Sequence, residues 1–227
     1  MKCEWKRGTD GAVSRHKARF VARGDTQVYL VDYREVWAPL ARHATWRAML
    51  AAAVGNGSAL CQLDVETAFL NGVVEEAVYI REPTGYERGG RGNVCRQLKA
   101  LYGLKRASRA WYKKLTSVVQ ATGMRATEAD RCLFFGTFGG IWVFVLAYVD
   151  NLLVAGASDK AVNICKHVLT GTFAVRDMGV PTYFLGMHIW HNRKEKLLSL
   201  GQRQYVTTIL ERFGLADSNP VRLPMGA

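Results

Sequence analysis

The chain has 227 residues, 49% of them hydrophobic, enough for a sizeable core in one large domain or in a domain with a further fragment. Its 31 Lys and Arg against 19 Asp and Glu leave a formal charge of +12, which suits a polyanionic partner, most often nucleic acid, and equally a merely solvated basic surface. Five scattered cysteines without a Cys-x-x-Cys pair exclude a disulfide framework or a zinc ribbon, and the longest apolar run, "IWVFVLAYV", is too short to cross a bilayer as a helix.

In chain order, "KARFVARG" alternates basic and apolar residues as a half-buried strand does. "TWRAMLAAAVGNG" predicts a helix that Thr45 caps, that buries Trp46, Met49, Leu50 and Ala53, and that stops at Gly55 and Gly57. A short strand in "ALCQLDVETAFLNG" delivers Asp64, and a brief helical stretch runs on until Asn71-Gly72 breaks it. "AVYIREP" reads as a strand and "TGYERGGRGN" as an exposed loop. "SRAWYKKLTSVVQATG" predicts an amphipathic helix with Trp111, Leu115, Val118 and Val119 inward and Lys113 and Lys114 outward. "CLFFGTFGGIWVFVLAYV" reads as strand, glycine turn and buried strand, and "LLVAG" continues after Asp150-Asn151. "SDKAVNICKHVLTGTF" predicts a helix capped by Ser158, with Val162, Cys165 and Leu169 on its buried face. "TYFLGMHIWHN" and "KLLSLG" read as strands around "RKEK", where His188 and His191 are taken as surface histidines. "QYVTTILERFG" closes as a helix with Tyr205, Ile209 and Phe213 four apart. Irregular alternation with frequent hairpins predicts an α+β fold, an antiparallel sheet with helices packed on one face.

Asp64 and Asp150 both stand in strand-like surroundings. Adjacent strands can aim two such carboxylates at one place, where they repel unless a cation lies between them. An oxygen-rich pair suits Mg²⁺, and in a basic chain it points to phosphoryl transfer on nucleic acid. The plainer alternatives are a tight turn at Asp150-Asn151 and a helix-capping role for Asp64.

The surrounding motifs "QLDVETAFLNG", "LYGLKRASRAWYKKL", "YVDNLLVAG" and "YFLGMHI" occur in the order and spacing of a reverse transcriptase. Over nearly its whole length the chain resembles the polymerase domain of copia-type long-terminal-repeat retrotransposons; "KARFVARGDTQ" and "QYVTTILERFG" fit the same family. That resemblance implies an RNA-directed DNA polymerase with a palm-type antiparallel sheet and partial fingers. It assigns residues 1–58 to a fingers-like segment, 59–190 to the palm with inserted fingers-like parts, and 191–227 to the start of a thumb or connection. It makes Asp64 and Asp150 the catalytic metal ligands, with Val65 lending a backbone carbonyl. Phe69 would lie beneath the sugar and exclude a 2′-hydroxyl, core packing being the alternative. Gly103 and Lys105 would wall the nucleotide pocket. Lys17 and Arg19 would hold the triphosphate, or else form a solvated strand face. Tyr148 and Val149 would lie near the primer end, and Phe184, Leu185 and Gly186 would belong to a hairpin that grips the primer.

The implied cofactor is Mg²⁺, with Mn²⁺ as a substitute. The implied partners are an RNA or DNA template-primer, a dNTP and the remainder of a Pol polyprotein, with no membrane. Protease, integrase and RNase H regions are not expected within these residues, so the chain is expected to be a piece of a polyprotein or a truncated copy. Its expected location is intracellular: cytoplasmic virus-like particles for an intact element, or the nucleus. Four residues depart from the family pattern. Asn151 replaces a third carboxylate at the "YVDD" position, Arg106 and Ser108 replace a usual Gln and Pro, and His188 stands where an acidic residue is common. The alternative function is therefore a catalytically impaired remnant that folds and binds nucleic acid.

Overall fold

A computed structural model describes residues 2–7, 12–88, 90 and 92–219. The N-terminal strands β1 (Lys2–Arg7) and β2 (Val13–Arg19) form an antiparallel ribbon. Helix α1 (His43–Gly55) leads into β3 (Ala59–Val65), and a 3-10 turn over Ala68–Asn71 follows. Strands β4 (Tyr79–Arg81) and β5 (Val94–Arg96) make a second small ribbon before α2 (Ala107–Ala121). Then come β6 (Arg125–Ala126), β7 (Leu133–Phe138), β8 (Ile141–Tyr148), β9 (Asn151–Gly156) and α3 (Asp159–Thr172). The remainder is β10 (Val175–Gly179), β11 (Tyr183–Phe184), β12 (Met187–Asn192), β13 (Leu197–Gly201) and α4 (Arg203–Arg212).

The central sheet has the order β10-β3-β9-β8-β7-β6, and every neighbouring pair is antiparallel. The expected α+β class and antiparallel sheet are therefore present. Helices do not pack on one face only. Trp111, Leu115 and Val119 of α2 and Val162, Cys165 and Leu169 of α3 cover the face formed by Leu63, Val65, Val145 and Val154. Trp46, Met49, Leu50 and Ala53 of α1 cover the opposite face with Leu60, Leu146 and Leu153, beside Phe184 and Ile189 from the β11-β12-β13 sheet. Strand periodicity makes this two-sided burial possible: β9 is apolar on both faces, and β3 puts Ala59, Cys61, Leu63 and Val65 on one face and Leu60 with the buried Gln62 on the other.

The expected buried faces of α1, α2 and α3 are present, Val118 being only partly buried. Ser158 caps α3, accepting from the Ala161 amide at 3.2 Å. Thr45 does not cap α1. The helix begins earlier, and the buried Asp130 supplies the acceptor from across the fold. Its carboxylate takes the Arg42 amide at 2.9 Å, the Thr45 hydroxyl at 2.6 Å and the Cys132 amide at 2.9 Å. Ser108 is likewise no cap, because α2 starts at Ala107 and Arg106 pairs instead with Glu76. The α4 stripe of Tyr205, Ile209 and Phe213 is not buried. No helix among the described residues is long and apolar enough to cross a membrane. Cys61, Cys132 and Cys165 are buried, and desolvation pushes each thiol up to about 12.

A close crossing ties the segment after β2 to the approach to α2. The Ala22 amide donates to the Tyr102 carbonyl at 2.8 Å. Gly103 has φ +91°, and a Cβ there would stand 2.1 Å from the Ala22 carbonyl oxygen. Only glycine meets both conditions.

Two predictions follow from these contacts. Gly103→Ala should lower the unfolding free energy by about 2–4 kcal/mol, measured by denaturant titration; an unchanged midpoint would remove the crossing as a constraint. Asp130→Asn should cost about 2 kcal/mol at neutral pH, since hydrogen bonds to a charged acceptor are lost or weakened. Burial pushes the Asp130 carboxyl up, but the bonds from Thr45, Arg42 and Cys132 outweigh it and hold the group below its ordinary range. The stability this contributes is present above the unfolded-state value and is lost as pH falls through the folded-state value. The gap between wild type and Asp130→Asn should therefore narrow below about pH 4, and a gap constant in acid would contradict this account.

Candidate active site

The register of the central sheet brings the two aspartates to one end. Asp64, next to last in β3, pairs across the ladder with Asn151, the first residue of β9. Tyr148 pairs with Asn151 across the β8-β9 hairpin, so Val149 and Asp150 form a two-residue turn. The Val65 amide donates to the Asp150 carbonyl at 2.8 Å and fastens that turn to β3. Asp150-Asn151 is thus a turn and part of a carboxylate pair at once.

The turn is strained. Val149 has φ +56°, while Asp150 is not in the left-handed region. This is the pattern of a type II′ turn, whose first central position favours glycine. A β-branched residue there costs about 1–3 kcal/mol, which surrounding contacts must offset.

The site is crowded with like charge. Burial raises the Asp64 carboxyl above its ordinary range, and the neighbouring Asp150 raises it further. Arg176 and Lys17 pull it back down. Arg176 is the cross-strand partner of Asp64 in β10 and also lies 3.4 Å from Glu66. Asn151 donates its amide to Asp150 Oδ1 at 3.1 Å, partly satisfying that carboxylate. Among the described residues no group of three or more His, Cys, Asp or Glu side chains gathers as a metal site. Two carboxylates drawn together with one unfavourably buried charge still suit a divalent ion, which relieves both terms.

The other expected site residues divide into two groups. Lys17 and Arg19 lie half-buried on one face of β2, and that face is turned toward the carboxylates: Lys17 acts electrostatically on Asp64, and the Arg19 guanidinium lies 5.8 Å from the Tyr102 ring. Phe69 is half-buried, its ring 4.8 Å from that of Tyr102, and it also packs on two core clusters. Tyr148 is half-buried at the end of β8. By contrast, Gly103 serves the crossing with Ala22, and the Lys105 ammonium lies over Tyr33, 5.2 Å from the ring centre. Phe184 is fully buried, 5.7 Å from Trp46, so its ring belongs to the core. Leu185 and Gly186, at φ +48° and +82°, form the turn between β11 and β12.

Two side chains beside the pair escaped the sequence reading. Tyr102 has its phenol pushed upward by burial and then by Asp150. Its only sequence signal is its place beside Gly103. Arg176 lies on an edge strand too polar to show as one.

The amino-acid sequence was compared with known proteins. Residues 3–227 match the family described as reverse transcriptase (RNA-dependent DNA polymerase). The chain is 35% identical over 99% of its length to the retrovirus-related Pol polyprotein from transposon TNT 1-94 of Nicotiana tabacum, spanning 17% of that protein. It is 36% identical over 98% of its length to the Pol polyprotein from transposon RE1 of Arabidopsis thaliana, spanning 15%. A more distant relative, the Ty1-DR1 Gag-Pol polyprotein of Saccharomyces cerevisiae, is 27% identical over 88% of the chain. The chain therefore spans about one sixth of the plant relatives' length, and it belongs to the reverse transcriptase family, as a domain of the kind carried by copia-type retrotransposon Pol polyproteins.

Proposed function

We propose that the chain extends a primer on an RNA template by nucleotidyl transfer from a dNTP. The observation that carries this reading is the meeting of Asp64 and Asp150 at one end of the β3-β9-β8 sheet, with the cations of β2 and β10 around them. In this reading residues 59–190 form a palm, 1–58 a fingers-like segment, and 191–227 the start of a thumb or connection. The family uses divalent metal ions. Here the Asp64 and Asp150 carboxylates and the Val65 carbonyl would hold Mg²⁺, or Mn²⁺ in its place. When bound, such ions neutralise the charge that develops on the attacking and leaving oxygens.

The residues of the chain supply position and field. Lys17 and Arg19 bind the triphosphate and offset its charge. The Phe69 ring, backed by Tyr102, forms the floor beneath the sugar and leaves no room for a 2′-hydroxyl. Tyr148 and the Val149 turn seat the primer end so that its 3′-hydroxyl meets the α-phosphate in line; pyrophosphate leaves on the far side. Leu185 and Gly186 present the hairpin turn that steadies the primer. Holding both reactants in this geometry accounts for most of the acceleration. The template-primer and the rest of a Pol polyprotein are the partners this reading requires.

Asn151 supports a second reading, an impaired polymerase that folds and binds template-primer. An amide ligates weakly and removes one negative charge from a site for two dications.

Primer extension on poly(rA)–oligo(dT) with Mg²⁺ separates the two. Extension that vanishes in Asp150→Ala establishes the first reading. Asn151→Asp should then lower the Mg²⁺ needed for half-maximal rate by about tenfold. Silence of the native chain with recovery in Asn151→Asp establishes the second. Silence of all forms would refute polymerase activity in this chain.

The raised Asp64 carboxyl adds a thermodynamic signature. A carboxyl raised by folding stabilises the fold below its unfolded-state value and ceases to do so as pH rises through the folded-state value. At neutral pH the Asp64 charge therefore works against folding. Asp64→Asn should raise the unfolding midpoint of the metal-free protein at pH 7 while abolishing extension. A lowered midpoint would assign Asp64 to the scaffold instead.

A further inference from the structure

We propose that Trp111 is a positioning residue for the Asp150 turn, and that its indole N–H holds Val149 in the left-handed conformation that aims Asp150 at Asp64. The inference rests on the reading of Asp64 and Asp150 as a metal-binding pair.

The geometry is direct. Trp111 lies in the first turns of α2 and is 2% exposed. Its Nε1–H donates to the Val149 carbonyl oxygen at 2.6 Å. Its ring meets Phe173 edge-on at 5.1 Å, which fixes the indole plane. The two carbonyls of the turn are thus tied to two different elements: Val149 to α2 through Trp111, and Asp150 to β3 through the Val65 amide. Packing alone does not immobilise the turn. A cavity of about 310 Å³, lined by Trp111, Leu115, Ala147, Val149, Pro39 and Leu40 among others, adjoins it. A β-branched residue at φ +56° with open space beside it has both reason and room to relax. The indole hydrogen bond opposes that relaxation with a directional contact, and it sits one residue from the metal-binding carboxylate.

A buried core tryptophan also needs an acceptor for its indole N–H, so the bond by itself is common to both roles, and what sets this one apart is its strained acceptor, Val149. The two roles separate in a double-mutant cycle. If Trp111 works by holding a strained Val149, its donor matters less when residue 149 is glycine, which adopts φ > 0 without penalty.

The test measures Mn²⁺ binding by electron paramagnetic resonance, a readout independent of turnover. It uses the full chain, Trp111→Phe, Val149→Gly, the double variant, and Asp150→Ala to identify the site. Trp111→Phe should weaken Asp150-dependent Mn²⁺ binding by about tenfold in the native background and by about two- to threefold in Val149→Gly. Trp111→benzothienylalanine keeps the ring volume and removes only the donor. It should reproduce the native-background loss and decides the matter if Trp111→Phe lacks a cooperative unfolding transition. Equal losses in both backgrounds, or no loss with the isostere, overturn the positioning role and leave the carboxylate pair standing. Absence of any Asp150-dependent Mn²⁺ signal in the native chain overturns the carboxylate-pair reading, and this inference with it.

Discussion

Two carboxylates held close together are the constraint on which the rest of this structure depends. Burial of the Asp64 carboxylate carries the larger cost, and repulsion from Asp150 adds to it. An isolated hairpin would relieve both by flexing. The fold prevents this by placing the pair where three strands are locked in register. Asp64 is fixed across from Asn151, and the Val65 amide holds the Asp150 carbonyl. The apolar residues of β3, β8 and β9 face cores on both sides, so a slip of one residue would bury Gln62 or Asp64 in the wrong layer. Packing far from the site thereby sets its geometry.

The electrostatic counterweight comes from elements outside that three-strand unit. Lys17 arrives from the N-terminal ribbon and Arg176 from the edge strand β10. Arg19 reaches Tyr102, which packs on Phe69. The Tyr102 ring thus lies near both the Arg19 guanidinium and the field of the Asp150 and Asp64 carboxylates. The excess of basic residues across the chain extends the cationic field to a longer polyanion.

Much of this was legible in the sequence, for identifiable reasons. Helices α2 and α3 have strong 3.6-residue periodicity, and Ser158 stands where a cap must. The long apolar run of β8 admits little besides a central strand. What was not legible depends on distant residues. The acceptor at the start of α1 is Asp130, which no local pattern links to Arg42 or Thr45. The placement of helices on both faces was missed because continuous apolar strands do not reveal which helix covers which side. The four-residue spacing on α4 was legible, but spacing alone did not show that Tyr205, Ile209 and Phe213 stay out of the buried core. Motif spacing singled out Asp64, Asp150 and Phe69, and the fold sets Tyr102 and Arg176 beside them only through topology. Phe184 and Gly103 show the converse: motif position marked them for ligand contact, and their own surroundings are core ring and chain crossing.

The substitution at residue 151 acquires a physical meaning in this setting. Asn151 faces Asp64 directly across the ladder and follows Asp150 in the chain. A carboxylate there would add a third negative charge to a pair that already resists burial. The amide instead donates to Asp150 Oδ1 and turns a repulsion into an attraction. The metal-free fold gains from Asn151; in the proposed two-dication reading the same substitution costs the site a charge. Val149 carries the opposite trade: a residue poorly suited to its backbone is retained at the tip of the hairpin and held there by neighbouring contacts. Within one turn, then, residue 149 carries backbone strain that its neighbours must hold, while residue 151 relieves the charge of the carboxylate beside it.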